Sequence, residues 1–239
     1  MRRECLRADD VWTVSQPLQH ILSDLCNKDI KVVPCTPMIE QGRSSKRNEI
    51  RKQLGLSDEE ICIVYLGGTQ KYQHLEDLVI PLIKEALKLS HRFVAVFISH
   101  KKKEILKLQE NAGIDSKRVI NLSLPQQEVF SFLNAFDIGL LLRAKSELND
   151  VAQPVKFGEY LAAGLLPLAE EGTGNMAELL KELGAGFIVN SQKNRIEVLK
   201  EIANMSSEEL SKKRSQVKQF VNSKYSLQSF APIELSYYK

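Results

Sequence analysis

The sequence predicts an α/β fold in which a parallel sheet is covered by helices on both faces. Short apolar runs such as Ile61–Leu66 and Phe93–Ile98 alternate with helical segments along most of the chain. Residues 137–178 show the alternation most clearly, because a strand, a polar loop, a short helix, a second strand and a glycine-rich turn follow one another. Continuous apolar strands separated by single helices are typical of parallel sheets that are buried on both faces.

The N-terminal residues contain a strand, a helix and a second strand. Residues 9–15 predict a short strand, and Ser15 is a suitable N-cap for a helix over Gln16–Cys26. Residues 30–34 predict the next strand, and the polar segment 34–46, which contains prolines, suits a linker. These elements either form a separate unit or extend the sheet that follows.

A strand and a glycine turn open the main part of the chain. The strand Ile61–Leu66 runs into Gly67–Gly68–Thr69, after which apolar residues recur at helical spacing. Such a turn presents backbone N–H groups that can face an anion. The remaining pattern predicts strands at 93–98, 118–122 and 184–189, and helices at 46–55, 105–112, 124–136, 193–203 and 206–222.

The composition excludes several classes of protein. The 239 residues accommodate one large domain or two small ones, and the formal net charge of +3 does not favour a nucleic-acid-binding surface. No apolar run reaches the roughly 18 residues of a transmembrane helix. The cysteines lack metal-binding spacing, and with no secretory segment they predict reduced thiols in a cytoplasmic protein. Without an Asp-x-Asp pair or a histidine cluster, we expect no metal.

One segment resembles a known family. Residues 154–168 read P-V-K-F-G-E-Y-L-A-A-G-L-L-P-L, and G-T-G-N-M-A-E follows at 172–178. This pattern closely resembles the donor-site segment of retaining glycosyltransferases with the two-domain B-type fold (glycosyl transferases group 1, family four). It is most similar to the branch that builds bacterial surface polysaccharides, which reads P-x-K-x-x-E-Y-L-A-x-G-x-P-V. Residues 9–34 are similar to the last strand, helix and strand of the family's N-terminal domain.

The resemblance implies how the chain is organised. The fold would be a Rossmann-like parallel sheet with helices on both faces, as in the C-terminal half of the two-domain structure. Residues 1–45 would be a remnant of the N-terminal acceptor domain with its linker, 46–222 the donor-binding domain, and 223–239 a C-terminal crossing helix. The chain looks short for a complete member of the family, and the missing part would be N-terminal. Exposed apolar residues in the tail would then favour self-association.

The resemblance also implies a function. The protein would move a sugar, with retention, from a nucleoside-diphosphate sugar to a sugar or lipid-linked acceptor in polysaccharide or glycoconjugate biosynthesis. It would act in the cytoplasm, either free or associated peripherally with the inner face of the membrane. The nucleoside-diphosphate sugar would be its donor substrate, and no cofactor would be needed. The alternatives are a non-catalytic nucleotide-sugar-binding subunit whose partner chain supplies the acceptor domain, and an epimerase. Sugar transfer by the isolated chain would distinguish an enzyme from a binding subunit.

The candidate site residues lie on the first glycine turn and in the 137–178 stretch. The departing diphosphate needs cations around it, and Lys156 and Arg143 are predicted to have this catalytic role. The resemblance implies that Lys156 contacts the diphosphate or sugar and that Glu159 binds the ribose. The predicted donor-binding residues are Gly67, Gly68, Thr69, Gln70, Lys71, Tyr72, Lys145, Glu159, Tyr160, Gly172, Thr173 and Gly174. From the residues alone, a surface ion pair between Lys156 and Glu159 and a solvated Arg143 remain open. His100 and the run Lys101–Lys103 are interpreted as surface groups.

Overall fold

The structure is a computed structural model that describes residues 2–35, 46–143, 146–171, 176–190 and 192–225. The strands are β1 (Trp12–Thr13), β2 (Lys31–Val32), β3 (Ile61–Leu66), β4 (Phe93–Ile98), β5 (Val119–Leu122), β6 (Ile138–Leu141), β7 (Leu166–Glu170) and β8 (Phe187–Val189). The helices are α1 (Arg2–Arg7), α2 (Gln16–Cys26), α3 (Arg47–Gln53), α4 (Ile80–Leu89), α5 (Lys102–Asn111), α6 (Gln126–Leu133), α7 (Glu147–Val151), α8 (Val155–Ala163), α9 (Met176–Leu183), α10 (Gln192–Asn204) and α11 (Ser207–Lys224).

The strands β3 to β8 form one parallel sheet, so the predicted α/β class with a parallel sheet flanked by helices is confirmed. Their order is β5-β4-β3-β6-β7-β8, which is the order of doubly wound, Rossmann-type sheets. The side chains of β4 are all buried, and those of β3 are buried up to its last residue. Strands that are apolar on both sides suit the centre of a sheet whose two faces are covered.

The strand order creates a crevice at the carboxyl edge of the sheet. β3 and β6 are neighbours, yet the chain continues from β3 to β4 on one side and from β6 to β7 on the other. In open α/β sheets, ligands bind beyond the carboxyl ends of the strands at such a switch point. The segments that follow Leu66 and Leu141, where these two strands end, therefore converge at the place where a ligand is expected.

A buried carboxylate joins the elements at the opposite, amino-terminal edge. Asp137, just before β6, accepts hydrogen bonds from Arg47 (2.8 Å), Arg51 (3.4 Å) and the backbone N–H of Cys62 (2.9 Å). The Arg214 guanidinium lies 4.0 Å from the same carboxylate. Burial, with the Asp137 charge beside it, raises the pKa of the Cys62 thiol to about 12. The charges therefore tie α3, β3, β6 and α11 together inside the protein.

The N-terminal strands do not extend the large sheet. β1 and β2 pair with each other, in parallel, as a separate two-stranded sheet. The helices α1 and α2 bury a small apolar cluster of their own with Cys5, Leu22, Cys26 and Ile30. The predicted N-cap of α2 is confirmed, since Ser15 Oγ accepts a hydrogen bond from the N–H of Leu18 at 3.3 Å.

The same hydroxyl also connects the N-terminal elements to the large sheet. Ser15 Oγ donates to the carbonyl of Val151, at the end of α7, over 2.7 Å. Gln153 makes a second connection, because its Oε1 accepts from Cys35 N at 2.8 Å and its Nε2 donates to Tyr225 OH at 2.5 Å. Most of the predicted linker, and the predicted crossing helix beyond residue 225, lie outside the described residues.

The local structure differs from the sequence expectation in two places. The short helix α7 occupies a stretch that the sequence predicts as a polar loop. The glycine turn after β3 does not run directly into an α-helix, because a 3-10 turn (Lys71–Gln73) and a π-helical turn (Leu75–Val79) precede α4. Pro81, in the first turn of α4, has no N–H for an α-helical hydrogen bond to an earlier carbonyl, so the α-helix begins only at Ile80. Within the described part of the chain, no helix combines the length and the apolar character that crossing a membrane requires.

Candidate functional site

A cavity of about 420 Å³ lies at the carboxyl ends of β3 and β4, between the segments that lead to α5, α6 and α8. Its apolar walls are formed by Leu66, Ile98, Leu124 and Val129. Its polar lining comes from Gly67, Gly68, Gln70, Ser99, His100, Lys101, Gln126, Lys156 and Glu159. Predominantly apolar clefts with a few converging polar groups are the usual form of small-molecule sites.

The Lys156 ammonium enters this cavity from the first turn of α8. Pro154 is the N-cap of that helix, where the missing N–H costs nothing. Lys156 Nζ donates a hydrogen bond to Gln73 Oε1 over 2.8 Å and lies 5.5 Å from the centre of the Tyr65 ring. Burial, and then the nearby charge of Arg143, lower the pKa of Lys156 to about 8.

Gly67 makes room for that ammonium. Its backbone has a φ of 154°, a region that side chains rarely allow. A Cβ at this position would collide with Lys156 Nζ and with Gln73 Oε1. Glycine is therefore favoured here by the backbone conformation, and any side chain would also displace the ends of Lys156 and Gln73.

The second cation, Arg143, follows the end of β6. Its guanidinium lies 5.6 Å from the centre of the Tyr72 ring, and Nη1 donates to Asn149 Oδ1 over 3.3 Å. Burial lowers the pKa of Arg143, although the neighbouring tyrosines oppose this shift. Arg143 does not line the cavity of about 420 Å³, but it lines a smaller pocket together with Lys156, Tyr65 and Gln73. The two residues predicted to be catalytic therefore lie in one crevice, and both are half-buried.

Glu159 lies one turn after Lys156 on α8 and lines the same cavity. Burial raises the pKa of its carboxyl, and the positive charge of Lys156 opposes that rise. The Lys156 ammonium is hydrogen-bonded to Gln73 rather than to this carboxylate. The carboxylate oxygens of Glu159 are consequently suited to accept hydrogen bonds from a ligand in the cavity.

Tyr160, which the sequence predicts as a donor-binding residue, is fully buried and does not line the cavity. Its hydroxyl accepts from the N–H of Leu66 at 3.1 Å and lies 3.5 Å from the carbonyl of Leu140. A Cβ on Gly139 would collide with its ring, so glycine in β6 provides the space that the ring fills. Tyr160 therefore holds β3 and β6 together at the switch point.

The other predicted residues are distributed around the crevice. Gly68 and Gln70 line the cavity, whereas Lys71 is exposed and lies outside the lining. Thr69 Oγ1 donates to the Glu104 carboxylate, which also pairs with Lys101 at 3.1 Å. The side chain of Tyr72 is 46% exposed and lies against Arg143. Lys145, Gly172, Thr173 and Gly174 lie outside the described residues.

The sequence analysis missed part of the cavity lining. His100 and Lys101 are exposed, in agreement with their interpretation as surface groups, and they also line the cavity together with Ser99, Leu124 and Gln126. The available signal was their position, because they directly follow the strands β4 and β5 in the chain. Residues at the carboxyl ends of parallel strands meet at one edge of the sheet, even when their residue types are unremarkable.

No family model and no curated protein matches this sequence. Many solved structures do match its fold. WaaG, a glycosyltransferase involved in lipopolysaccharide biosynthesis, is 17% identical with a TM-score of 0.70, over 92% of this chain and 60% of that chain. Anabaena HepE in complex with UDP is 15% identical with a TM-score of 0.70, over 98% of this chain and 66% of that chain. The protein thus spans less than two thirds of these two neighbours.

A third neighbour is a single domain. The C-terminal domain of the group 1 glycosyltransferase LpcC from Francisella tularensis is 17% identical with a TM-score of 0.58, over 77% of this chain and 95% of that chain. The protein is therefore an α/β protein of the doubly wound class, and it has a crevice at the switch point, where proteins of this class bind ligands. Its fold is that of the B-type glycosyltransferases, and the six-stranded sheet corresponds to their C-terminal domain.

Proposed function

We propose that the crevice binds a nucleoside-diphosphate sugar and that the protein is the donor-binding part of a retaining glycosyltransferase in polysaccharide or glycoconjugate biosynthesis. One observation carries the proposal. Two half-buried cations, Lys156 and Arg143, lie with the glycine turn at the switch point, beside a cavity that Glu159 lines. The fold is shared with glycosyltransferases, and UDP is the ligand in the HepE structure.

The two cations fit a diphosphate. Burial lowers the pKa values of both Lys156 and Arg143, and repulsion by the charge of Arg143 lowers the pKa of Lys156 further, so the crevice disfavours its positive charges. An anion between them removes this repulsion and gains charge-assisted hydrogen bonds. When the sugar leaves its diphosphate, the negative charge on the leaving group grows, and fixed cations stabilise that charge in the transition state.

The cavity fits the nucleoside. Its walls of Leu66, Ile98, Leu124 and Val129 suit the flat face of a base, and the surrounding polar groups can orient its edge. Glu159 lines this cavity on the same helix face as Lys156 and would accept hydrogen bonds from the two ribose hydroxyls. The diphosphate would then extend from the ribose toward Lys156.

The carboxylate of Glu159 provides the test of this arrangement. Titration of the protein with UDP and with GDP in a calorimeter should give a binding isotherm for at least one of them. We expect Glu159→Ala to weaken that binding at least tenfold, or about 1.4 kcal/mol, because the ribose would lose hydrogen bonds to a charged acceptor.

The matched control is Glu110→Ala, which removes the same charge from an exposed position on α5. The affinity of this variant for UDP or GDP should stay within about twofold of that of the unsubstituted protein, a difference of under roughly half a kcal/mol. Folded protein that binds neither UDP nor GDP would show that the crevice is not a nucleotide site.

We also propose that donor binding needs no metal ion, since the cations of Lys156 and Arg143 supply the positive charge. Among the described residues, no group of three histidine, cysteine or acidic side chains could hold a metal. An excess of chelator should therefore leave the UDP or GDP affinity within about twofold, as measured by the same titration. Binding that requires added magnesium or manganese would overturn this part of the proposal.

The acceptor side of the reaction belongs to the proposal as well. The hydrogen bond from Ser15 to the end of α7 places the N-terminal elements near the carboxyl edge of the sheet, because α7 follows β6 and Arg143. A sugar or lipid-linked acceptor, at the inner face of the membrane, would approach the crevice from this side. Its binding surface would come from an acceptor domain, in this polypeptide or in a partner chain.

A further inference from the structure

Gln73 lies at the end of the 3-10 turn that follows the glycine turn, and its side chain is buried with 7% exposure. The next residue, His74, has a φ of 46°, a left-handed conformation that ends the turn and directs the chain into the π-helical turn. A buried glutamine needs partners for both ends of its carboxamide. Those partners connect three elements of the site.

Both ends of the Gln73 carboxamide are hydrogen-bonded. Its Oε1 accepts from Lys156 Nζ at 2.8 Å and lies 2.5 Å from the Tyr65 hydroxyl. Its Nε2 donates to Gln70 Oε1 at 2.9 Å. The Tyr65 hydroxyl in turn lies 2.6 Å from the carbonyl of Gly68. The orientation of the amide is determined by these contacts, because Lys156 can only donate and therefore must face the oxygen.

We propose that Gln73 is a positioning residue whose carboxamide oxygen holds the Lys156 ammonium at the carboxyl end of β3, with its charge left available for a diphosphate. The inference rests on the proposed function, since it concerns what Lys156 would bind. A glutamine accepts a hydrogen bond without neutralising the cation. A glutamate in its place would form an ion pair and would also repel the phosphates.

The absence of charge on the Gln73 side chain matters because several charged and titratable groups surround Lys156. Arg143 at the end of β6 repels the ammonium, and Glu159 on the same helix attracts it. The Tyr65 ring on β3 lies beside the ammonium, and its buried hydroxyl has a raised pKa, so it remains neutral. His100 and Lys101 line the same cavity from the segment after β4. The pH at which Lys156 loses its proton is therefore sensitive to the charge of residue 73.

The test measures the protonation of Lys156 directly in the ligand-free protein. Competitive acetylation of lysines with acetic anhydride between pH 6 and 11, followed by peptide mass spectrometry, gives the titration midpoint of each lysine. The variants are Gln73→Glu, which adds a charge, and Gln73→Met, which has a similar size but lacks the acceptor. Gln127→Glu, at an exposed position on α6, is the matched control for the added charge.

We expect Gln73→Glu to raise the Lys156 midpoint by about one pH unit or more, because a carboxylate in contact favours the charged lysine. Gln73→Met should lower the midpoint by about half a unit, because the ammonium loses its acceptor. Gln127→Glu should leave it unchanged. At pH 7, Gln73→Glu should also weaken UDP or GDP binding about tenfold or more, because its carboxylate competes with the phosphates.

The outcomes separate this inference from the proposed function. If both Gln73 variants fold and neither moves the Lys156 midpoint, the positioning role is wrong, even if nucleotide binding falls. If the midpoints move as expected but the unsubstituted protein binds no nucleoside diphosphate, the proposed function fails and the contact stands. Gln73→Asn, whose side chain is one carbon shorter, replaces Gln73→Met if that variant does not fold, with the same expected direction.

Discussion

Replacement of Asp137 by asparagine is expected to lower the free energy of unfolding by about 3–5 kcal/mol. The carboxylate is 3% exposed and accepts from Arg47 and from the buried Arg51, with Arg214 nearby. Asparagine has nearly the same shape, so the loss comes from buried guanidinium charges that keep their positions but lose their counter-charge. Urea unfolding followed by far-UV circular dichroism would measure this loss of stability, provided that the slope of the free energy of unfolding against urea concentration is the same in both proteins.

An exposed aspartate provides the control for this experiment. The Asp77 side chain is 76% exposed, and its carboxylate lies 3.5 Å from His74 Nδ1. Asp77→Asn should change the free energy of unfolding by no more than about 0.5 kcal/mol, as is usual for surface charges. A loss of under about 1 kcal/mol in Asp137→Asn would mean that the arginines are hydrated, and that the carboxylate does not organise this edge of the sheet.

Replacement of Lys156 by methionine is expected to weaken nucleoside-diphosphate binding by about 10-fold to 100-fold at pH 7. This corresponds to about 1.5–3 kcal/mol, the typical contribution of a hydrogen bond to a charged group. Methionine preserves the length and apolar body of the side chain, so the comparison isolates the ammonium. Calorimetric titration with UDP or GDP would measure the effect, and Lys212→Met, at an exposed position on α11, is the control.

The pH dependence gives the same prediction a second readout. With a pKa of about 8, Lys156 is charged at pH 7 and loses its proton as the pH rises, so affinity should fall above about pH 8. Lys156→Met should lose most of this dependence of the affinity on pH.

The same lysine also affects stability. The pKa of Lys156 in the folded protein lies below the ordinary value of 10.5, so the buried charge costs stability below about pH 8. The cost disappears as the pH rises from about 8 toward 10.5, so the methionine variant should be at least as stable at pH 7. A variant that binds as tightly and with the same pH profile would contradict the role of Lys156.

The sequence by itself determined the class of fold. The continuous apolar runs of β3 and β4 require burial on both faces, and the helical spacing between them requires crossovers, so a parallel sheet follows from local patterns. The same local rules correctly predicted Ser15 as the N-cap of α2. They also placed Lys156 and Glu159 on one face of α8, because residues three apart are neighbours on any helix. The domain boundaries and the roles of the donor-binding residues remain predictions.

Only the tertiary structure decided which residues meet. Lys156 and Gln73 are 83 residues apart in the chain, and they touch because β3 and β6 are adjacent at the switch point. The burial of Tyr160 likewise depends on the space that Gly139 leaves on a neighbouring strand. Periodicity shows that a face is buried, but it contains no information about the element that covers it. The geometry of the crevice depends on the order of the strands, and that order is set by contacts between distant parts of the chain.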